Sequence, residues 1–361
     1  MLGKPQNIMS YIPEQSRIVE DVVKLIESKM DDSNSTIIDN FDLTLKYLAF
    51  EWISQTSFGK KIDCIDDNKR TKESEEFIKS MNKLVVTTSE LMNSVPIWKV
   101  IRTSRWKKYV QNADLFFKHI DIHINQKLNC MKDGKFDDTM SIIEHLFRFS
   151  ERYNLSDNDI SSMIAELFTG GIDTPASAIH FCLYELSTRK YIQDELSQEI
   201  EENMKNHDEF NKDIFNNLKL LKSFVKEVLR FHPVVIILGR EATKDMVIEN
   251  YKIPKGTFIN ISSYALGHNN DYFENHDLFD HHRWIKSEKK KIHPFATLPF
   301  GFGSRNCVAR RYAEQEIYIF LIKILKKFEI EYLGDKFEYT NTAIVSPDKP
   351  LKLKFKKKGS A

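Results

Sequence analysis

Apolar residues recur at helical spacing from Ile18 to Ile26, Phe41 to Ile53, Glu75 to Leu91 and Val110 to Leu128, and again through the long stretch Ser156 to Ser187. This periodicity predicts a helical first half. From Val234 the pattern shortens to strand-like runs, VVIIL and MVIENYKIPKGTFINI, with a turn at Pro254, Lys255 and Gly256; LKLKFK lies near the end. After Cys307 the segment ARRYAEQEIYIFLIKILKKF joins helix formers to an apolar stripe. The predicted fold class is mainly α with small β-sheets. No fixed-period repeat and no Ser/Gly-rich linker divides residues 1–361, so a single domain is expected, with Lys60 to Glu76 and Asn203 to Lys212 as polar surface loops.

Composition narrows the functional classes. A chain of 361 residues with 41% hydrophobic content can bury a large core. Lys plus Arg (53) nearly balance Asp plus Glu (52), which gives no reason to expect a nucleic-acid partner. Cys64, Cys130, Cys182 and Cys307 are few and far apart with no CxxC pair, arguing against a disulfide framework or structural zinc and for a reducing compartment. No run approaches the ~20 apolar residues of a transmembrane helix, and MLGKPQNIMSYIPEQS has no signal-peptide core. A soluble or peripheral chain is expected.

One segment carries chemistry. Leu298-Pro-Phe-Gly-Phe-Gly-Ser-Arg-Asn-Cys-Val-Ala-Arg-Arg sets two glycines, an arginine and a cysteine in a tight loop entering a helix. Backbone N–H groups at a helix start lower a thiol pKa, so Cys307 is expected to be held as a thiolate. Thiolate is a good iron ligand, and thiolate ligation of haem favours O–O cleavage. A cysteine nucleophile is the other use of such a residue, but no partner histidine can be assigned.

In spacing, Phe300, Gly303, Arg305 and Cys307 resemble the haem-binding signature F-x-x-G-x-R-x-C of cytochromes P450. The resemblance implies haem b with its iron bound by Cys307, Phe300 packed against the proximal loop, Gly303 turning the chain beneath the haem, and Arg305 at a propionate. Ala309 stands where the family usually has glycine. Glu227-Val-Leu-Arg230 is similar to the family's E-x-x-R pair. Arg283, in Phe279-Asp-His-His-Arg283-Trp284, falls where a second arginine completes a buried network. His281 and His282 replace the usual proline and glutamate there and read as solvated. Gly170-Gly171-Ile172-Asp173-Thr174-Pro175 interrupts a helical stretch, where Pro175 offers no N–H to the carbonyl of Gly171, so a local opening is predicted. It resembles the family's I helix, which implies that Gly170 and Gly171 admit O₂, that Thr174 supplies the alcohol meeting it, and that Asp173 delivers protons. Arg240, after the apolar run Val234 to Leu238, is implied as a second propionate partner. That run and Thr342 to Val345 would line the substrate pocket.

The mitochondrial class of the family docks an acidic ferredoxin on lysines at the places of Lys222 and Lys226, and favours a double arginine like Arg310-Arg311. The resemblance therefore implies a ferredoxin donor, an apolar, steroid-like substrate and the matrix side of the mitochondrial inner membrane; the endoplasmic reticulum is the alternative. The surroundings of Cys307 are similar to insect steroid hydroxylases of moulting-hormone synthesis. The tryptophans and basic residues of Val95 to Lys108 suit peripheral contact with a membrane, with a surface loop of packed tryptophans as the alternative. No W-x-x-x-R pair occurs near the start, so the family fold is expected to lack its N-terminal helices and sheet. A truncated remnant that is non-catalytic, with or without haem, is the competing expectation.

Overall fold

The computed structural model describes residues 8–92, 94–134, 140–205, 211–285, 292–340 and 344–359. Helix α1 (Ile12–Ser28) opens with proline in its first turn and turns Ile18, Val19, Val22, Val23 and Ile26 inward. Helix α2 (Phe41–Phe58) is buried almost all round and stops at Gly59, whose φ of 70° suits a left-handed cap. Helices α3 (Lys72–Met92) and α4 (Ser104–Lys132) pack along each other, joined by a short turn at Ile97–Lys99. The predicted long helix is two helices, α5 (Asp157–Gly171), begun by a Ser156/Asp159 capping box, and α6 (Asp173–Thr188). Helices α7 (Lys190–Met204), α8 (Lys219–Phe231) and α9 (Arg310–Lys327) complete the body, with short turns of helix between them.

Among the described residues three small sheets flank it. Strands β1 (Ser35–Ile38), β6 (Phe328–Tyr332) and β7 (Leu353–Lys357) form an antiparallel sheet in the order β1-β7-β6. Strand β2 (Ile237–Glu241) pairs with β5 (Phe258–Ser262), setting Arg240 opposite Ile259, and β3 (Met246–Ile248) pairs with β4 (Tyr251–Ile253).

The helical segments and the strands after Val234 follow the sequence pattern, and the expected turn lies before β5. Residues 72–76 depart from it, because they open α3 instead of lying in a loop. Thr71 Oγ1 accepts from the Ser74 N–H at 3.1 Å, and Glu73 and Glu75 sit in the positive first turn. Asn203 and Met204 likewise end α7, while residues 206–210 lie outside the described set. Strand β1 was not foreseen, since its partner β7 comes from the other end of the chain.

A single apolar cluster runs from α1 to β7. Polar bonds tie the start of the chain to α9 and α2: Gln315 Nε2 donates to the Ile8 carbonyl at 3.0 Å, and Trp52 Nε1 donates to that of Gln15 at 3.2 Å. Among the described residues no helix is long and apolar enough to cross a membrane.

Candidate active site

The cysteine loop is closed by the backbone bond from the Cys307 N–H to the Phe300 carbonyl at 2.8 Å, with two further bonds inside it, from the Gly301 N–H to the Leu298 carbonyl at 3.0 Å and from the Asn306 N–H to the Gly303 carbonyl at 3.2 Å. Two positive-φ glycines allow the turn, Gly301 at 69° and Gly303 at 74°. A Cβ on Gly303 would meet nothing within 4 Å, so its backbone conformation is what requires glycine there. The Arg310 guanidinium lies 5.4 Å from the centre of the Phe300 ring, against the start of α9. Helix α9 begins only at Arg310, after Ala309, so Cys307 lies just ahead of the first turn. Burial pushes the Cys307 thiol pKa up, outweighing the lowering effects of the Ala309 N–H and Arg310. In these surroundings the helix start does not bring the thiol below its ordinary pKa.

The break between α5 and α6 falls at Ile172, as the Gly-Gly-Ile-Asp-Thr-Pro sequence predicted. Thr174 Oγ1 donates to the Gly170 carbonyl at 2.7 Å. The two glycines do different work. A Cβ on Gly170 would face open space, whereas one on Gly171 would come within 3.2 Å of Ile53 Cδ1. Gly171 thus permits helix packing, and Gly170 keeps the backbone open. Asp173 is buried and pairs with Lys46 of α2, whose Nζ stands 3.0 Å from its Oδ1.

These two elements face a common cavity of about 360 Å³. Gly170, Gly171 and Thr174 line one side; Phe300, Arg305, Cys307 and Ala309 line the other. Arg240 joins Arg305 in the lining, and among the described residues neither pairs with a carboxylate. Arg240 instead donates to the Gly239 carbonyl at 2.8 Å and to that of Phe302 at 3.3 Å. An apolar space bounded by one thiol, with two guanidiniums lacking carboxylate partners, fits an iron porphyrin bearing carboxylates. A second cavity of about 610 Å³ is lined by Val85, Met92, Phe116, Phe117, Asp173 and Ile344, among others.

A buried network supports the loop region. Glu227 and Arg230 are fully buried and bidentate, at 2.9 and 2.7 Å. Arg283 Nε reaches Glu227 Oε1 at 3.0 Å, and Trp284 Nε1 donates to Oε2 at 3.0 Å. Arg230 also donates to the carbonyls of Gly267 and His276, at 2.7 and 3.0 Å. Both anticipated arginines therefore meet Glu227. His281 and His282 are not simply solvated: His281 is buried, and both bond Glu195.

The other predicted residues lie in varied surroundings. Lys226 is exposed, but Lys222 is half-buried with Nζ 4.3 Å over the Phe215 ring; burial and Lys226 lower its pKa. Arg310 pairs with Glu314 at 3.2 Å, while Arg311 is exposed. The Trp98 and Trp106 rings stack at 4.8 Å beside exposed Val95, Ile97, Val100 and Ile101. The Val345 N–H donates to the Val234 carbonyl at 2.8 Å, joining the two apolar segments expected at the pocket; Thr342 and Ala343 lie outside the described residues. Sequence reasoning missed Lys46 and the indole of Trp284. No local signal marks Lys46, which is one of many lysines and meets Asp173 only through helix packing.

The fold and its cavity define a helical haem enzyme. Residues 2–355 match the family model described as cytochrome P450. The chain belongs to the cytochrome P450 family, haem mono-oxygenases whose cofactor is an iron porphyrin. It is 31% identical over 357 residues to the cholesterol side-chain cleavage enzyme, mitochondrial, of Capra hircus, covering 98% of this chain and 68% of that protein. It is 28% identical over 370 residues to a probable cytochrome P450 of Drosophila melanogaster, covering 98% of this chain and 62% of that one. A crystal structure of a mutant P450 haem domain shares the fold, with TM-score 0.85 and 19% identity, over 99% of this chain and 75% of that chain.

Proposed function

We propose that this chain is a haem-thiolate mono-oxygenase that inserts one atom of O₂ into an apolar, steroid-like substrate, with electrons from a ferredoxin. The observation that carries the reading is the shared cavity, with Cys307 on one side and Gly170 and Thr174 on the other. Haem bound there supplies O₂ activation, which a thiolate ligand favours.

The chain's own residues then have distinct tasks. Cys307 Sγ holds the metal, while Arg240 and Arg305 pair with the propionates. Phe300, Gly301 and Gly303 fix the loop. The Thr174 hydroxyl proton is already given to the Gly170 carbonyl, which leaves its oxygen free to accept a bond in the cavity. Asp173, on the neighbouring position, exchanges protons with solvent across its pair with Lys46, whose side chain is 42% exposed. The larger cavity, where Leu84, Val85, Phe116 and Phe117 set an apolar wall beside polar residues such as Lys46 and Glu166, suits a bulky, largely apolar substrate, and the names of the mitochondrial relatives support a steroid.

Lys222, Lys226, Arg310 and Arg311 would form the basic face that meets an acidic ferredoxin. Stacked tryptophans among exposed aliphatic and basic residues around the α3–α4 connection suit peripheral contact with a membrane, here the matrix side of the mitochondrial inner membrane.

The test is the absorption spectrum of the reduced, CO-bound protein. A Soret band strongly red-shifted from that of histidine-ligated haem, and lost in Cys307→Ser, is expected. A band at the histidine-type position, or one indifferent to Cys307→Ser, would overturn the assignment. Protein that takes up no haem would favour the non-catalytic alternative.

A further inference from the structure

Glu195, His281 and His282 converge on one point, and none of them lines the cavities described above. Glu195 belongs to α7; the histidines lie in the turn just before Arg283 and Trp284. The turn is fixed by two bonds to Asp280, from the His282 N–H to Oδ1 at 3.0 Å and from the Arg283 N–H to the carbonyl at 3.1 Å. In this conformation both imidazoles face α7, with ring centres 4.2 Å apart. His281 Nε2 and His282 Nε2 stand 2.8 and 3.0 Å from the same oxygen, Glu195 Oε2. The Tyr191 ring lies 5.9 Å from that of His281.

With both Nε2 atoms protonated the cluster is a hydrogen-bonded clamp; with both bare it presents three donor atoms to a cation. Two imidazole nitrogens and a carboxylate are the donor set of a borderline dication such as zinc, not of magnesium or calcium. Zinc bonds of about 2.0–2.2 Å place ligand atoms about 3.3 Å apart in a tetrahedral site. The three atoms already lie within 4.8 Å of one another. Opening the two contacts by a few tenths of an ångström makes room for the ion, a small motion for the half-exposed Glu195 and His282.

We propose that Glu195, His281 and His282 form a structural site for a zinc-type transition-metal dication, with a fourth position left to water. The site is independent of the haem chemistry. Its effect is mechanical: the ion would clamp α7 to the loop whose next two residues hold Glu227.

Haem-loaded protein freed of metal by a chelator is titrated with ZnCl₂ in a calorimeter, beside His282→Ala and Glu195→Ala. One equivalent of Zn²⁺ is expected to bind the wild type and raise its Tm. Each substitution should weaken binding at least about 10-fold and abolish the Tm gain, with the Soret spectrum unchanged. The proposal fails if no one-equivalent event occurs, or if affinity survives either substitution. Both side chains are about half exposed, 44% for Glu195 and 53% for His282, so their truncation leaves the core intact.

Discussion

The Nζ of Lys46 stands 3.0 Å from Oδ1 of Asp173, joining α2 to the first turn of α6. The lysine is 42% exposed and the aspartate only 11%, so the pair spans the boundary between solvent and the helix break. In the proposed mechanism this is where protons enter. Asp173→Asn is expected to lower product formation on the order of 10²-fold, as loss of a general acid does. Lys46→Met should give a smaller loss, read in both kcat and KM because Lys46 also lines the larger cavity proposed for the substrate. Steady-state turnover of both variants checks this; equal rates for wild type and Asp173→Asn would remove Asp173 from the proton path.

Gly303 offers a cleaner test of the cysteine loop. Its φ is 74° and an added Cβ meets no atom within 4 Å, so Gly303→Ala carries a conformational cost and no clash. That cost is about 1–2 kcal/mol, expected as weaker haem retention and a lower Tm. Asn tolerates the left-handed region better, so Gly303→Asn should recover part of the loss. Calorimetry and haem occupancy of the two variants decide it.

Acidification should destabilise the fold through His180. Burial is the main reason its pKa is lowered to about 3, with a smaller contribution from His232. The unfolded chain protonates near 6.5 while the folded one does not. Between these values the unfolded state binds more protons, so stability is fully present above pH 6.5 and is lost as pH falls toward 3. The slope from this one group is about 1.4 kcal/mol per pH unit. Urea midpoints at pH 7 and pH 5.5 should converge in His180→Asn relative to wild type.

The ferredoxin proposal has an electrostatic signature. Reduction of the haem-loaded protein by an acidic ferredoxin should slow steeply with salt, and at low salt it should be slower in Lys226→Glu and in Lys222→Glu, with a shallower salt dependence. Lys226 is exposed, whereas Lys222 lies over Phe215, so the larger effect is expected at Lys226. Stopped-flow rates indifferent to salt and to both charge reversals would exclude this docking face.

The helices and the cysteine loop were legible because their signals are local. Periodicity in α1 to α4 reports which face is buried, and Gly301, Gly303 and Pro175 mark a turn and a break through backbone geometry that few other residues permit. The E-x-x-R pair was legible as a spacing, and its buried network with Arg283 only through the family resemblance. That Glu227 and Arg230 are fully buried, and that Arg283 and Trp284 complete their bonding, depends on a loop more than fifty residues away.

By itself, then, the sequence determined the fold class, the position of the helix break and the loop that presents Cys307. Tertiary structure alone decided that Lys46 pairs with Asp173, that Gly171 is small for the sake of Ile53, and that Glu195 meets two histidines. It also set the Cys307 thiol in surroundings that raise its pKa, against the helix-start effect expected locally. The reason is common to all of these. Helix periodicity and turn geometry are properties of neighbours along the chain, whereas burial, ion pairing and desolvation depend on which distant side chains packing brings within a few ångströms.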